Sequence, residues 1–288
     1  MFADVWEIIA DAAIDCVKML PFLFLAYLLI EYIEQRHSQK LNGMLSAQSR
    51  WGFGVGALLG IVPQCGFSAM AANLYSSRVI TLGTLLAVFL STSDEAIPIL
   101  LANPDSFSLL LKLLLVKVIA AACAGFLADT VLRRLLTKGN TGGFTGDMED
   151  CDCHEHEEGE KILPAALRHT LHIFILLFFV TLALGAVVHV IGEETLAGWL
   201  AALGPLQIFA AGLVGLIPNC AASVLLTGLL VSGGLSFPAA AAGLCTGAGV
   251  GLIVLFRANH NWKENLKITG VLYLFGCAAG LLCALLGM

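Results

Sequence analysis

Apolar positions in this chain do not alternate with polar ones. They run together over the length of a membrane span and then stop at small polar clusters. Residues 170–192, 237–256 and 268–288 are the clearest runs, and the last two carry no charge. About 20 consecutive apolar residues cross a bilayer as a helix, so each predicts a span. Residues 5–33, 79–102 and 107–132 predict further helices, and the run at 170–192 begins at about residue 165. Two runs differ in kind because a proline sits inside them. Residues 51–76 are interrupted by Gly60-Ile61-Val62-Pro63-Gln64-Cys65-Gly66-Phe67-Ser68, and residues 206–231 by Gly215-Leu216-Ile217-Pro218-Asn219-Cys220-Ala221-Ala222-Ser223. Proline removes a backbone donor and crowds the preceding turn. At membrane depth such a break persists where protein buries it or where it lines a cavity.

The two breaks lie 155 residues apart, and their Gly, Pro, Cys and Ser coincide, with Gln64 facing Asn219. Matched interrupted segments in two halves of a hydrophobic chain point to a transport site. The order of segments repeats at the same offset, so Ser91-Thr92-Ser93-Asp94 faces Thr246-Gly247-Ala248-Gly249. The scaffold is duplicated, while the acidic pair Asp94 and Glu95 occurs in one half. Gly52, Gly56 and Gly60 line one helix face, which permits close helix–helix approach. The expected organisation is a first membrane repeat at 1–138, a linker at 139–161 and a second membrane repeat at 162–288.

Charge sets the expected topology, because cytoplasmic loops collect Lys and Arg. Let each broken segment enter and leave on one side as a re-entrant hairpin. Arg36, Lys40, Arg50, Arg78, Arg133, Arg134, Lys138, Arg257, Lys263 and Lys267 then share that side, and Asp105, Glu193 and Glu194 fall opposite. Each half has three spans plus a hairpin, and an odd number of spans inverts the second half. The expected fold is therefore an all-α polytopic membrane protein of two inverted repeats, about ten helical segments in all. Loops 34–50, 133–168 and 257–267 are expected to be cytoplasmic.

Composition agrees. Of 288 residues, 58% are hydrophobic and 12% charged, against about 25% charged in soluble domains; mean hydropathy is +0.89. Asp4, Glu7, Asp11 and Asp15 occupy the N-terminus where a signal peptide would be positive. The net charge of −6 comes largely from one acidic loop and says little about partners. Most of the nine cysteines lie in apolar segments as small packing residues, so no disulfide framework is implied.

Candidate chemistry falls into four groups. Asp94 and Glu95, beside Ser91 and Ser93, are acids within or at the edge of a membrane segment, where a carboxylate is costly and points to function; a loop near the interface is the other reading. Gln64, Cys65, Ser68, Asn219, Cys220, Ser223 and Thr246 form a polar set around the breaks, suited to solute binding or to satisfying freed backbone. Thiolates at Cys65 and Cys220 would select softer metals, whereas the half-helix N-terminus after each proline favours anions; cation and oxyanion both stand. The linker run Cys151-Asp152-Cys153-His154-Glu155-His156-Glu157-Glu158 concentrates thiol, imidazole and carboxylate, so Cys151, Cys153, His154 and His156 are candidate metal ligands, as are Asp94 and Glu95; an acidic solubilising linker is the alternative. Asp11 and Asp15, on one face of the first helix, and His169 with His172, three apart, are further candidates, each read also as an ordinary solvated or packing feature.

The paired Pro-Gln-Cys-Gly and Pro-Asn-Cys-Ala breaks, the Ser-Thr-Ser-Asp-Glu-Ala stretch and the His/Cys/acid linker resemble the ten-helix heavy-metal exporter family. Its members are labelled manganese transporters or arsenic-efflux-like permeases. The resemblance covers almost the whole chain, and it implies metal or metalloid efflux across the bacterial plasma membrane. The reading that follows is a secondary exporter of a divalent, manganese-like ion. A permease for an oxyanion, arsenical or small organic anion is the alternative. No tightly bound cofactor is expected beyond a transported or regulatory divalent ion. The partners expected are the bilayer and a metal ion or small inorganic solute, with a homodimer open and no nucleic acid. An enzyme is not expected, since neither His-Glu-x-x-His nor Gly-x-Ser-x-Gly occurs. No Gly-x-x-x-x-Gly-Lys-Ser/Thr nucleotide loop occurs either.

Overall fold

The computed structural model describes residues 52–61, 65–93, 96–102, 106–132 and 203–288, with scattered positions between 13 and 28 and between 167 and 198. Secondary structure among the described residues is helical. The first half holds α1 (Gly52–Leu59), α2 (Cys65–Ser76), α3 (Leu82–Ser91), α4 (Ala96–Ala102) and α5 (Phe107–Leu127), the last continued by a π turn at Ala128–Leu132. The second half holds α6 (Gln207–Gly215), α7 (Cys220–Val231), α8 (Phe237–Thr246), α9 (Gly251–Ala258) and α10 (Trp262–Leu285). The helix starts pair as 52 with 207, 65 with 220, 82 with 237, 96 with 251 and 107 with 262, and every difference is 155. The duplication read from two motifs thus extends to five helix boundaries in each half.

Local chemistry explains the boundaries. Thr81 caps α3, its hydroxyl accepting from the Thr84 amide at 3.1 Å. Asn219 caps α7 and Asn261 caps α10, each side-chain oxygen accepting from an amide at 3.4 Å. Such caps satisfy the orphan donors of a first turn. The α3–α4 interruption falls at the Ser-Thr-Ser run. The run at 237–256, which periodicity reads as continuous, is also interrupted, between Thr246 and Gly251. Gly249 there has φ +54°, a conformation that glycine adopts without steric penalty.

Four segments among the described residues are long and apolar enough to cross a membrane: Leu82–Ala102, Phe107–Val131, Phe237–Ala258 and Trp262–Leu285. Two of the four are the interrupted pairs α3–α4 and α8–α9. On α5, Leu111, Leu115 and Ile119 are exposed while Leu113, Lys117 and Ala121 are buried, so one stripe faces outward and the other inward. An outward apolar stripe of that length belongs against lipid.

Within each half three helices form a bundle, α1, α3 and α5 in the first and α6, α8 and α10 in the second. Helix directions follow from side-chain neighbours. Gly52 lies against Thr84 and Gly60 against Ser91, so α1 runs parallel to α3. Gly83 lies against Asp129, and Thr92 meets Lys117, so α5 runs back along α3. Gly276 meets Thr246 and Gly280 meets Pro238, the same antiparallel arrangement for α8 and α10. The short helices pack across the halves in exchange, α2 against α9 and α7 against α4. Ser68 abuts Gly251, and the Ser76 hydroxyl donates to the Ala258 carbonyl, so α2 and α9 run in parallel.

Candidate functional site

The interruptions of the two halves meet at one lysine. Lys117 lies midway along α5 and is 1% exposed. Its ammonium donates to the Thr92 carbonyl, where α3 ends, and to the Leu244 carbonyl at 2.6 Å, in the last turn of α8. These are C-terminal carbonyls without helical partners, at the negative ends of two half-helices. These carbonyl dipoles replace part of the water that a buried ammonium loses. Beside the α8–α9 interruption, Phe89 and Ser68 both lie against Gly251 at the start of α9, and the Ser223 hydroxyl lies 3.6 Å from where a Gly247 side chain would begin. The starts of α2, α7 and α9 therefore approach the same region as the ends of α3 and α8.

Ser91, Ser93 and Thr246 are buried, and their hydroxyls engage backbone. Ser91 donates to the Ala87 carbonyl at 2.8 Å and approaches that of Val88 at 3.1 Å. Thr246, its offset partner, reaches the Gly243 carbonyl at 2.9 Å and that of Gly212 on α6 at 2.8 Å. Ser93 donates to the Ser91 carbonyl at 3.2 Å. Ser68 is fully buried, Asn219 is buried as a cap, and Cys220 and Ser223 are partly buried. Hydroxyl oxygens that donate to a carbonyl keep lone pairs for a solute. Gln64, Asp94, Glu95, Asp11, Asp15, Cys151, Cys153, His154, His156, His169 and His172 lie outside the described residues, as does the side chain of Cys65. Among the described residues no cluster of three or more His, Cys, Asp and Glu occurs.

A second polar cluster closes one end of the α2–α9 contact. The Tyr75 hydroxyl donates to Glu264 at 2.5 Å, and Arg78 pairs with the same carboxylate oxygen at 3.4 Å while its guanidinium stands 5.5 Å from the Tyr75 ring centroid. Asn265 donates to the Asn259 carbonyl at 2.8 Å and accepts from the Asn259 amide group at 2.8 Å. Arg78 has φ +61°, and its offset mate Gly233 has φ +77°, so one turn geometry serves both halves. The mates of Tyr75 and Glu264 are Leu230 and Leu109, so this ionic contact exists on one side of the duplication.

Lys117 and Glu264 were both absent from the sequence-derived site. A charge ten residues inside an apolar helix was the available signal for Lys117; Glu264 gave none, since it reads as part of a polar turn. In comparison with known families, residues 2–195 match the family described as "Putative, 10TM heavy-metal exporter". No curated protein and no solved structure matches the chain.

Proposed function

We propose, from the premise that this chain belongs to the 10TM heavy-metal exporter family, that it is a secondary transporter working by alternating access. Its substrate would sit where the interrupted helices of the two halves converge. The observation that carries this reading is the meeting of the α3–α4 and α8–α9 interruptions at Lys117. Irregular backbone at membrane depth, two-fold related and lined with polar atoms, is the usual site of a transported solute.

The finer architecture is proposed as inverted repeats. In its support, α2 returns from the interruption toward the start of α3, and it lies parallel to α9. Helix α9 continues α8, so α8–α9 runs against α3–α4. The reciprocal packing of α2 on α9 and α7 on α4 suits a two-fold axis in the membrane plane. Arg78 against Glu264 also brings the Arg78 turn and the 257–267 segment to one side, as the positive-inside reading requires. On this reading α1–α2 and α6–α7 are re-entrant hairpins.

For the cargo we propose a divalent, manganese-like ion bound by Asp94 and Glu95 next to Ser93, with the thiols of Cys65 and Cys220 near the pathway. The buried charge of Lys117 favours a second reading, in which an oxyanion, arsenical or small organic anion is carried. Flux of manganese(II), cadmium(II), zinc(II) and arsenite from liposomes containing the purified chain decides between them. A cation carrier loses substrate affinity in Asp94→Asn and Glu95→Gln. Unchanged or stronger binding of an anion in those variants, without metal flux, would establish the second reading.

A further inference from the structure

The buried ammonium of Lys117 has a position that capture of cargo does not account for. It donates to carbonyls from different halves of the chain, Thr92 from the first and Leu244 from the second. It therefore bridges the two halves at their interruptions. Each carbonyl belongs to a half-helix end where a cation is electrostatically favoured. The offset mate of Lys117 is Leu272, and the mates of the two carbonyl residues are Gly247 and Phe89. The symmetric scaffold thus carries a tethered cation on one side of its axis and an isobutyl group on the other.

We infer that Lys117 is a built-in counter-cation, which occupies the convergence of the half-helix ends in the unloaded carrier and withdraws when a cationic cargo binds. The inference rests on the transport reading with a cationic cargo. Two cations within a few ångströms of each other in a poorly hydrated interior repel strongly, since screening there is weak. Cargo and ammonium are then alternatives for one electrostatic slot. The loaded carrier reorients with the metal ion in that slot, and the empty carrier reorients with Lys117 in it. Without the ammonium, the empty carrier would have to bring two helix C-termini together uncompensated. Lys117 accordingly serves the return limb of the cycle, while exchange of bound for free metal proceeds without that limb. It is a positioning residue, and its signature is a split between exchange and net transport.

The test uses the full chain in liposomes, with manganese(II), cadmium(II) and zinc(II) as probes, and compares Lys117→Met, Lys117→Gln and Lys117→Arg with the unaltered protein. Two fluxes are measured: isotope exchange with metal on both sides, and net efflux into metal-free buffer. In Lys117→Met, the ratio of net efflux to exchange, each measured at saturating metal, is expected to fall at least about tenfold. Equilibrium metal binding should tighten about tenfold or more as the competing charge is removed. Lys117→Arg, which keeps the charge, should restore net efflux. Loss of exchange and net efflux together in a folded Lys117→Met, or no change in either, overturns the inference. Should Lys117→Met fail to fold, Lys117→Gln keeps donors for the carbonyls and must give the same split. Misfolding of that variant too, with Lys117→Arg folded, would assign the ammonium to structure alone. If the unaltered protein moves none of the three ions, the cationic transport reading fails instead.

Discussion

Replacing Gly243 with alanine is the sharpest probe of the second bundle. A methyl at this position would lie 2.7 Å from the Ala211 carbonyl oxygen and 2.6 Å from the Leu226 Cδ1. Leucine can rotate away, but the carbonyl is helix backbone. Ordinary contact begins at 3.4 Å, so α6 must retreat from α8 by about 0.7 Å. Overpacking of this kind costs about 1–3 kcal/mol. Alanine also gains about 0.5–1 kcal/mol over glycine inside a helix, which would mask part of the loss. Gly228→Ala on α7 is the matched control, because nothing lies within 4 Å of its added methyl. The propensity gain is common to both variants, so their difference isolates the packing cost. At roughly 2–4 °C per kcal/mol, Gly243→Ala should unfold several degrees below Gly228→Ala in detergent. The same shift of α6 displaces the Gly212 carbonyl from Thr246, so transport should fall with stability. Equal unfolding temperatures for the two variants would refute the close approach of α6 and α8.

Other expectations concern single contacts. Glu264→Gln weakens the acceptor shared by Tyr75 and Arg78, costing about 1–3 kcal/mol; adding Tyr75→Phe should cost little more, since both act on one contact, and full additivity in thermal unfolding would count against it. Asp129 accepts from the Gly83 amide and the Thr81 hydroxyl, each at 2.8 Å, so Asp129→Asn should lower stability by about 1–3 kcal/mol, read from the same melting curves. Deleting residues 147–160 is expected to weaken metal capture at low concentration and to leave transport at saturating metal intact; loss of saturated flux would make the linker part of the pathway.

The duplication was legible because it rests on short-range chemistry. Proline, glycine and capping residues act within a turn of where they stand, so matched residues 155 apart produced matched helix ends. The interruption at 247–250 was less visible: glycine and alanine carry no polarity, and an apolar run containing them reads as continuous. Lys117 and Glu264 were missed for another reason. Their stability depends on partners brought close by the fold, Leu244 being 127 residues from Lys117 and Tyr75 being 189 from Glu264. No window along the sequence contains both members of either pair. Ser91 and Thr246 were readable as polar, but their bonds to helix carbonyls became visible only with the bundle assembled.

The exchange of short helices between the halves also dictates an order of events during synthesis. Helix α2 is complete once residue 76 has emerged, yet the surface it packs on, α9, begins at residue 251. At a translation rate of about 5–20 residues per second, that partner appears roughly 10–35 s later. For that interval α2 has no native neighbour on one face. Neither half finishes its own interior, so an isolated half should be retained by the insertion machinery or degraded, and the two halves expressed as separate chains should rescue each other.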